Sequence, residues 1–324
     1  MGTGQDFRAG GWAPRMLGAL WPACALLLAA CATAPERDSA PTPPSETAAR
    51  PEPYTQSAKS AALARYYKRR QAHLLTQGLL RTGGGDVDTP FTDEDVARNF
   101  ERIAFYDEYV RGGGLQASDG RPDVLRKWVA PVRMAVEFGA SVPDEMRESE
   151  RAVVAGYARR LSRITGHPIT LGGGKANFHV IFSSEDDRAE TVARVRELAP
   201  DIGVATMDLI KAPPRSIYCL VLTFAAPERP HSYSQAIALI RTEQPDLMRR
   251  ACVHEELAQG LGLGNDSAQA RPSIFNDDEE FALLTTHDEA LLRLLYHPNL
   301  RPGLSLGQAR PLIRRILAGD PGQI

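Results

Sequence analysis

The 324-residue chain has almost no net charge, with 38 lysines and arginines against 40 aspartates and glutamates. A nucleic-acid ligand calls for surplus positive charge against its phosphates, so this balance argues against a nucleic-acid role. Long apolar runs are missing too: residues 16–30 fall short of the roughly 20 residues a bilayer-spanning helix needs. No internal repeat is found. The glycine run Gly172-Gly173-Gly174-Lys175 lacks the spaced first glycine and the Ser/Thr of a phosphate loop, and it leads into a strand. Cysteine is scarce, with four in all.

What is present begins at the N-terminus. Arg8 and Arg15 precede the apolar run, which ends Leu28-Ala29-Ala30-Cys31. Charge, length and small residues before a cysteine make residues 1–30 resemble a lipoprotein signal peptide, with Cys31 as the acylated first residue of the mature chain. Two or more acyl chains anchor a protein stably. The expectation is therefore a membrane-anchored lipoprotein facing the periplasm. Ala32 follows in place of aspartate, which by resemblance to enterobacterial sorting favours the outer membrane. Residues 31–57, rich in Pro, Ala, Ser, Thr and Glu, read as an extended tether that cannot pack a core. Cys24 leaves with the signal peptide, so Cys219 and Cys252 remain as a pair. They form either a disulfide, which an oxidising compartment permits, or two buried free thiols.

Residues 58–120 read as a small helical region. A basic helix over 61–80 carries Arg65, Lys68, Arg69 and Arg70 on a solvated face, and an acidic-led helix spans 92–109. Residues 121–318 then alternate. Strands are expected at 132–138, 176–182, 216–224 and 236–241, and helices at 148–164 and 186–198. In 176–182 both alternating sets are apolar enough for a strand buried on both faces. Asp246 is expected to cap a further helix. This order implies an α/β or α+β fold with a mixed, twisted sheet.

That further helix carries the one segment with recognisable chemistry, E-E-L-A-Q-G-L-G-L-G-N-D from Glu255 to Asp266. Positions i and i+4 share a helix face, so Glu255 and Gln259 can address one ion or one water. Gly262 is expected to end the helix, after which the chain doubles back with Asn265 or Asp266. A carboxylate and two amides suit calcium, magnesium or manganese better than zinc, which prefers nitrogen and sulfur. The cofactor expectation is thus no ion, or a divalent metal ion, with zinc not favoured. His254 starts no zinc motif, because Ala258 and Leu261 occupy the places of the second ligand and the glycine. It either packs on the back of the helix or acts as a lone ligand or proton carrier.

The segment resembles the metzincin zinc peptidases, whose motif H-E-x-x-H-x-x-G-x-x-H often reads H-E-L-G-H-A-L-G-L-G-H-D. Glu256, Leu257, Leu261, Gly262, Leu263, Gly264 and Asp266 match, while Glu255, Gln259 and Asn265 stand where the histidine ligands would be. The resemblance makes Glu256 the general base if the site is active. It places Phe275, in Ser273-Ile274-Phe275-Asn276-Asp277, at the position of the methionine turn. It assigns the stretch from Leu284 to Tyr296 to the C-terminal helix, and makes 236–241 the edge strand lining a substrate cleft. The stretch from Trp128 to Tyr296 resembles an envelope family designated domain of unknown function 2927. Two functions follow as expectations. One is a binding or scaffolding module that holds an envelope protein or peptide without cutting it. The other is a metal-dependent hydrolase using Glu256, with Glu255, Gln259, Asn265 and Asp266 as ligands.

Overall fold

The computed structural model describes residues 54–319, Asp86 and Asp277 excepted. The signal segment, Cys24, Cys31 and most of the tether lie outside the described residues. Those described belong to one compact unit of α/β class.

The sheet is built from β1 (Lys127–Trp128), β2 (Val132–Phe138), β3 (Ile169–Leu171), β4 (Phe178–Ser183), β5 (Cys219–Ala225) and β6 (Ser232–Arg241). Its order is β1-β6-β4-β2-β3, all neighbours parallel, with β5 added antiparallel to β6. Helices α3 (Asp144–Thr165), α4 (Arg188–Leu198) and α5 (Val204–Lys211) fall between strands, and α6 (Asp246–Gln259) follows β6. Two further helices, α1 (Ala58–Thr76) and α2 (Asp93–Phe105), precede the sheet. The chain closes with α7 (Thr286–Leu295) and α8 (Leu306–Leu317).

Strand β4 shows why the sheet is covered on both faces. Phe178, Val180 and Phe182 enter the main core with Leu161 of α3 and Val253 and Leu257 of α6. Ile181 points the other way, into a smaller core with Val195 of α4 and Ile210 of α5. On that second face His179 hydrogen-bonds Glu137 at 2.6 Å, and Arg194 of α4 grips the same carboxylate through two nitrogens. These contacts hold Glu137 down to about 2, hydrogen bonding and charge overcoming its burial.

Three expectations need correction. The edge strand is Cys219–Ala225, because β6 is paired with β1, β4 and β5 and is buried along most of its length. Asp246 is the first residue of α6 and makes no cap; Pro245 holds the cap position, and Asp246 pairs instead with Arg249 at 3.0 Å. Gly262 does not end α6. The helix stops at Gln259, with Gly260 as its cap. A side chain on Gly260 would strike the Phe178 ring at 2.6 Å, and its carbonyl accepts from Trp128 Nε1 at 2.8 Å. Gly262, at φ +129°, makes the following turn, where Arg126 O would lie 2.5 Å from an added Cβ. Elements too short to show a period, β1, β3 and α5, and the helix α8 enter only with the structure.

Candidate functional site

Residues Cys252, Glu255, Glu256 and Gln259 follow at i, i+3, i+4 and i+7, one face of α6. Cys252 is disulfide-bonded to Cys219, so edge strand β5 is tied to this face one turn before the two glutamates. The Cys219 sulfur and one carboxylate oxygen each from Glu255 and Glu256 lie within 4.8 Å of one another. A disulfide sulfur is no thiolate, so it supplies no metal-ligand charge here.

Glu256 is buried at 4% exposure. Its pKa is driven well up from the usual carboxylate range, first by burial and then by the charges of Glu255, Asp266 and Glu108. Among the described residues its Oε2 has no hydrogen-bond partner. Asp266 and Glu255, both half-buried, face a cavity of about 180 Å³ between α1, α6 and the loop before α7. Gln259 is half-buried at the last turn of α6.

The structure thus gathers Cys219, Cys252, Glu255, Glu256 and Asp266. It turns the other candidates elsewhere. The Asn265 amide donates to the backbone carbonyls of Arg102 (3.0 Å) and Asp266 (3.1 Å). His254 stacks on the Tyr157 ring, centroids 4.0 Å apart, and its Nδ1 accepts from the Leu284 amide at 3.0 Å. Burial first, then Arg160 and Arg250, push its pKa down to about 3, so it is a neutral imidazole within the core. Phe275 is wholly buried; its amide bonds Ser273 Oγ at 3.0 Å and its carbonyl takes the Ser267 amide at 2.8 Å. The neighbours Ile274 and Asn276 line the cavity, and Asp277 lies outside the described residues.

One wall of the cavity is not evident from the motif. Leu74 of α1 and Leu80 after it meet Met248 and Phe281 there. Arg70, expected on a solvated face, bonds Glu279 at 2.7 Å and the Tyr218 hydroxyl at 3.1 Å; Arg65, Lys68 and Arg69 are exposed. The signal available in sequence was the spacing of Leu63, Tyr67 and Leu74, an apolar stripe at helical period. Glu279 holds a left-handed backbone, φ +56°, as it turns toward Arg70.

Neither the curated proteins nor the solved structures include a match to this chain. Residues 93–315, from the start of α2 into α8, match the family described as "Protein of unknown function (DUF2927)". That match spans well over half of the sequence, and the chain belongs to this family.

Proposed function

We propose that this protein is a lipid-anchored binding module of the cell envelope, with a metzincin-like domain over residues 121–318 that holds a peptide partner without cutting it. The observation that carries the reading is the state of Glu256. The residue in the general-base position is buried, beside a disulfide and two further carboxylates. Burial there, with like charges alongside, favours the protonated form, which cannot take a proton from water. The donor set does not fit zinc either: carboxylates and amides stand where zinc prefers nitrogen and sulfur, and the nearby sulfur is oxidised.

Metal content is the test. The chain lacking its first 31 residues, offered calcium, manganese and zinc, is expected to retain far less than one ion per molecule by elemental analysis. Stoichiometric metal that disappears in both Glu255→Ala and Gln259→Ala would instead support the second reading, a metal-dependent hydrolase. That reading is favoured by one feature, the Glu256 Oε2, which has no hydrogen-bond partner among the described residues and lies close to a second carboxylate.

The anchor is a separate part of the proposal. The Cys219–Cys252 bridge supports it, since disulfides persist in oxidising compartments outside the cytosol. In a bacterial host, the wild type is expected to incorporate labelled palmitate and sediment with membranes. Cys31→Ala should lose the label and appear in the soluble fraction, and a wild type without label would overturn the anchor.

A further inference from the structure

Helix α1 carries a charge asymmetry that the rest of the chain does not share. Acids and bases balance over the whole sequence, yet the 19 residues of α1 include no aspartate or glutamate and five lysines and arginines. Its buried side is set by Ser60, Tyr67 and Leu74, at i, i+7 and i+14. Arg65, Lys68 and Arg69 fall on the opposite side and are exposed. The two cations nearer the body are neutralised, Lys59 by Glu185 and Arg70 by Glu279. Among the described residues no carboxylate pairs with Arg65, Lys68 or Arg69. A fourth exposed cation joins them from the loop before β5. Arg215 stands over the Tyr66 ring, 4.6 Å from its centroid, and its carbonyl accepts from the Tyr67 hydroxyl at 3.0 Å. Leu75, 48% exposed, extends the Lys68 side of the face by two turns.

A helix face with clustered cations, no acid and an exposed leucine suits an anionic bilayer surface. The cations meet phosphate headgroups, and the leucine enters the boundary beneath them. Guanidinium groups add planar, forked recognition of phosphate oxygens. The position in the chain names the occupant: α1 is the first described helix after Cys31, and only the tether separates the two. We propose that Arg65, Lys68, Arg69 and Arg215 dock this face on the anionic phospholipid surface of the membrane that holds the anchor. The proposal rests on the reading of the protein as lipid-anchored. A docked α1 leaves α2, α8 and the far side of the sheet turned to partners.

The test is co-sedimentation of the mature chain carrying Cys31→Ser, which has no acyl chain, with phospholipid vesicles at low salt. Vesicles of phosphatidylglycerol and phosphatidylcholine in equal parts are expected to bind at least about a hundredfold more tightly than phosphatidylcholine alone, and to release the protein at about 1 M salt. Arg65→Gln, Lys68→Gln, Arg69→Gln and Arg215→Gln should each weaken binding about fivefold, the share of one cation near such a surface. The three α1 changes together should bring it to the phosphatidylcholine level, with melting like the wild type. Arg314→Gln with Arg315→Gln, exposed at the end of α8, should leave it unchanged. Equal binding to both vesicles, binding retained by the triple variant, or an equal loss in the α8 pair overturns the proposal. Pelleting with isolated cell-wall polymer but not with vesicles overturns the bilayer as the occupant. Palmitate labelling reads the anchor, and this experiment reads the face without it, so the two fail separately.

Discussion

Asp288→Ala is expected to remove about 3–5 kcal/mol of folding stability, because it strips the acceptor from a fully buried cluster of donors. The Asp288 carboxylate takes hydrogen bonds from Ser273 Oγ (2.5 Å), the Ile274 amide (3.1 Å), the Thr285 amide (2.9 Å) and Thr285 Oγ1 (2.8 Å). Ser273, Thr285 and Asp288 are each 1% exposed or less. Thr285 Oγ1 is not stranded by the change, since Pro272 O, 2.8 Å away, is a second acceptor within reach of its single proton. The two amides and Ser273 have no such relief through Asp288, and each buried donor left unmet costs about 1–3 kcal/mol. The same carboxylate accepts the Thr285 amide in the capping box that starts α7, so the variant loses that half of the box, while the Thr285 side chain still accepts from the amide at position 288. Urea unfolding followed by circular dichroism measures the effect. A loss under about 1 kcal/mol would show that water replaces the lost acceptor.

Long periodic segments reveal themselves in sequence because their own side chains define the buried face. The strand Val132–Phe138 alternates cleanly, and Thr285 with Asp288 announces the start of α7 in four residues. β3 has three residues and β1 two, too few to show any period; they exist because β2 and β6 offer backbone partners. Edge and centre are likewise invisible in a strand taken alone. Cys219–Ala225 and Ser232–Arg241 are both apolar, and only the pairing of β6 with three strands makes β5 the rim. At the site, helical spacing is enough to put Glu255 and Glu256 beside Cys252. The remaining wall comes from contacts that no local pattern encodes, such as Arg70 with Glu279, 209 residues apart. Gly260 shows the same limit: its need to lack a side chain is set by the Phe178 ring of a distant strand.

The sharpest separation between a binding module and a hydrolase is expected from Glu256→Gln, measured as stability against pH. Burial, then Glu255, Asp266 and Glu108, raise the folded-state pKa of Glu256 well above the ordinary value of 4.5. Below pH 4.5 both folded and unfolded chains hold the proton, and the group adds no pH dependence. Above it the unfolded chain releases a proton that the folded chain keeps. Stability therefore falls as pH rises, by about 1 kcal/mol per pH unit, until the folded-state pKa is passed. Glutamine has no proton to lose and removes that slope. Its amide brings a fixed cost or gain of its own, so the readout is the difference in slope between variant and wild type, not the stability at one pH. Glu256→Gln should lie closest to the wild type near pH 4 in relative terms and gain on it as pH rises above 4.5, until the folded-state pKa is passed, by denaturant unfolding at each pH. Parallel curves would mean that Glu256 is already ionised in the folded protein, with a cation offsetting its charge. That result would move the balance to the hydrolase, whereas a wild-type slope that vanishes with glutamine identifies Glu256 as a buried carboxyl that keeps its proton on folding.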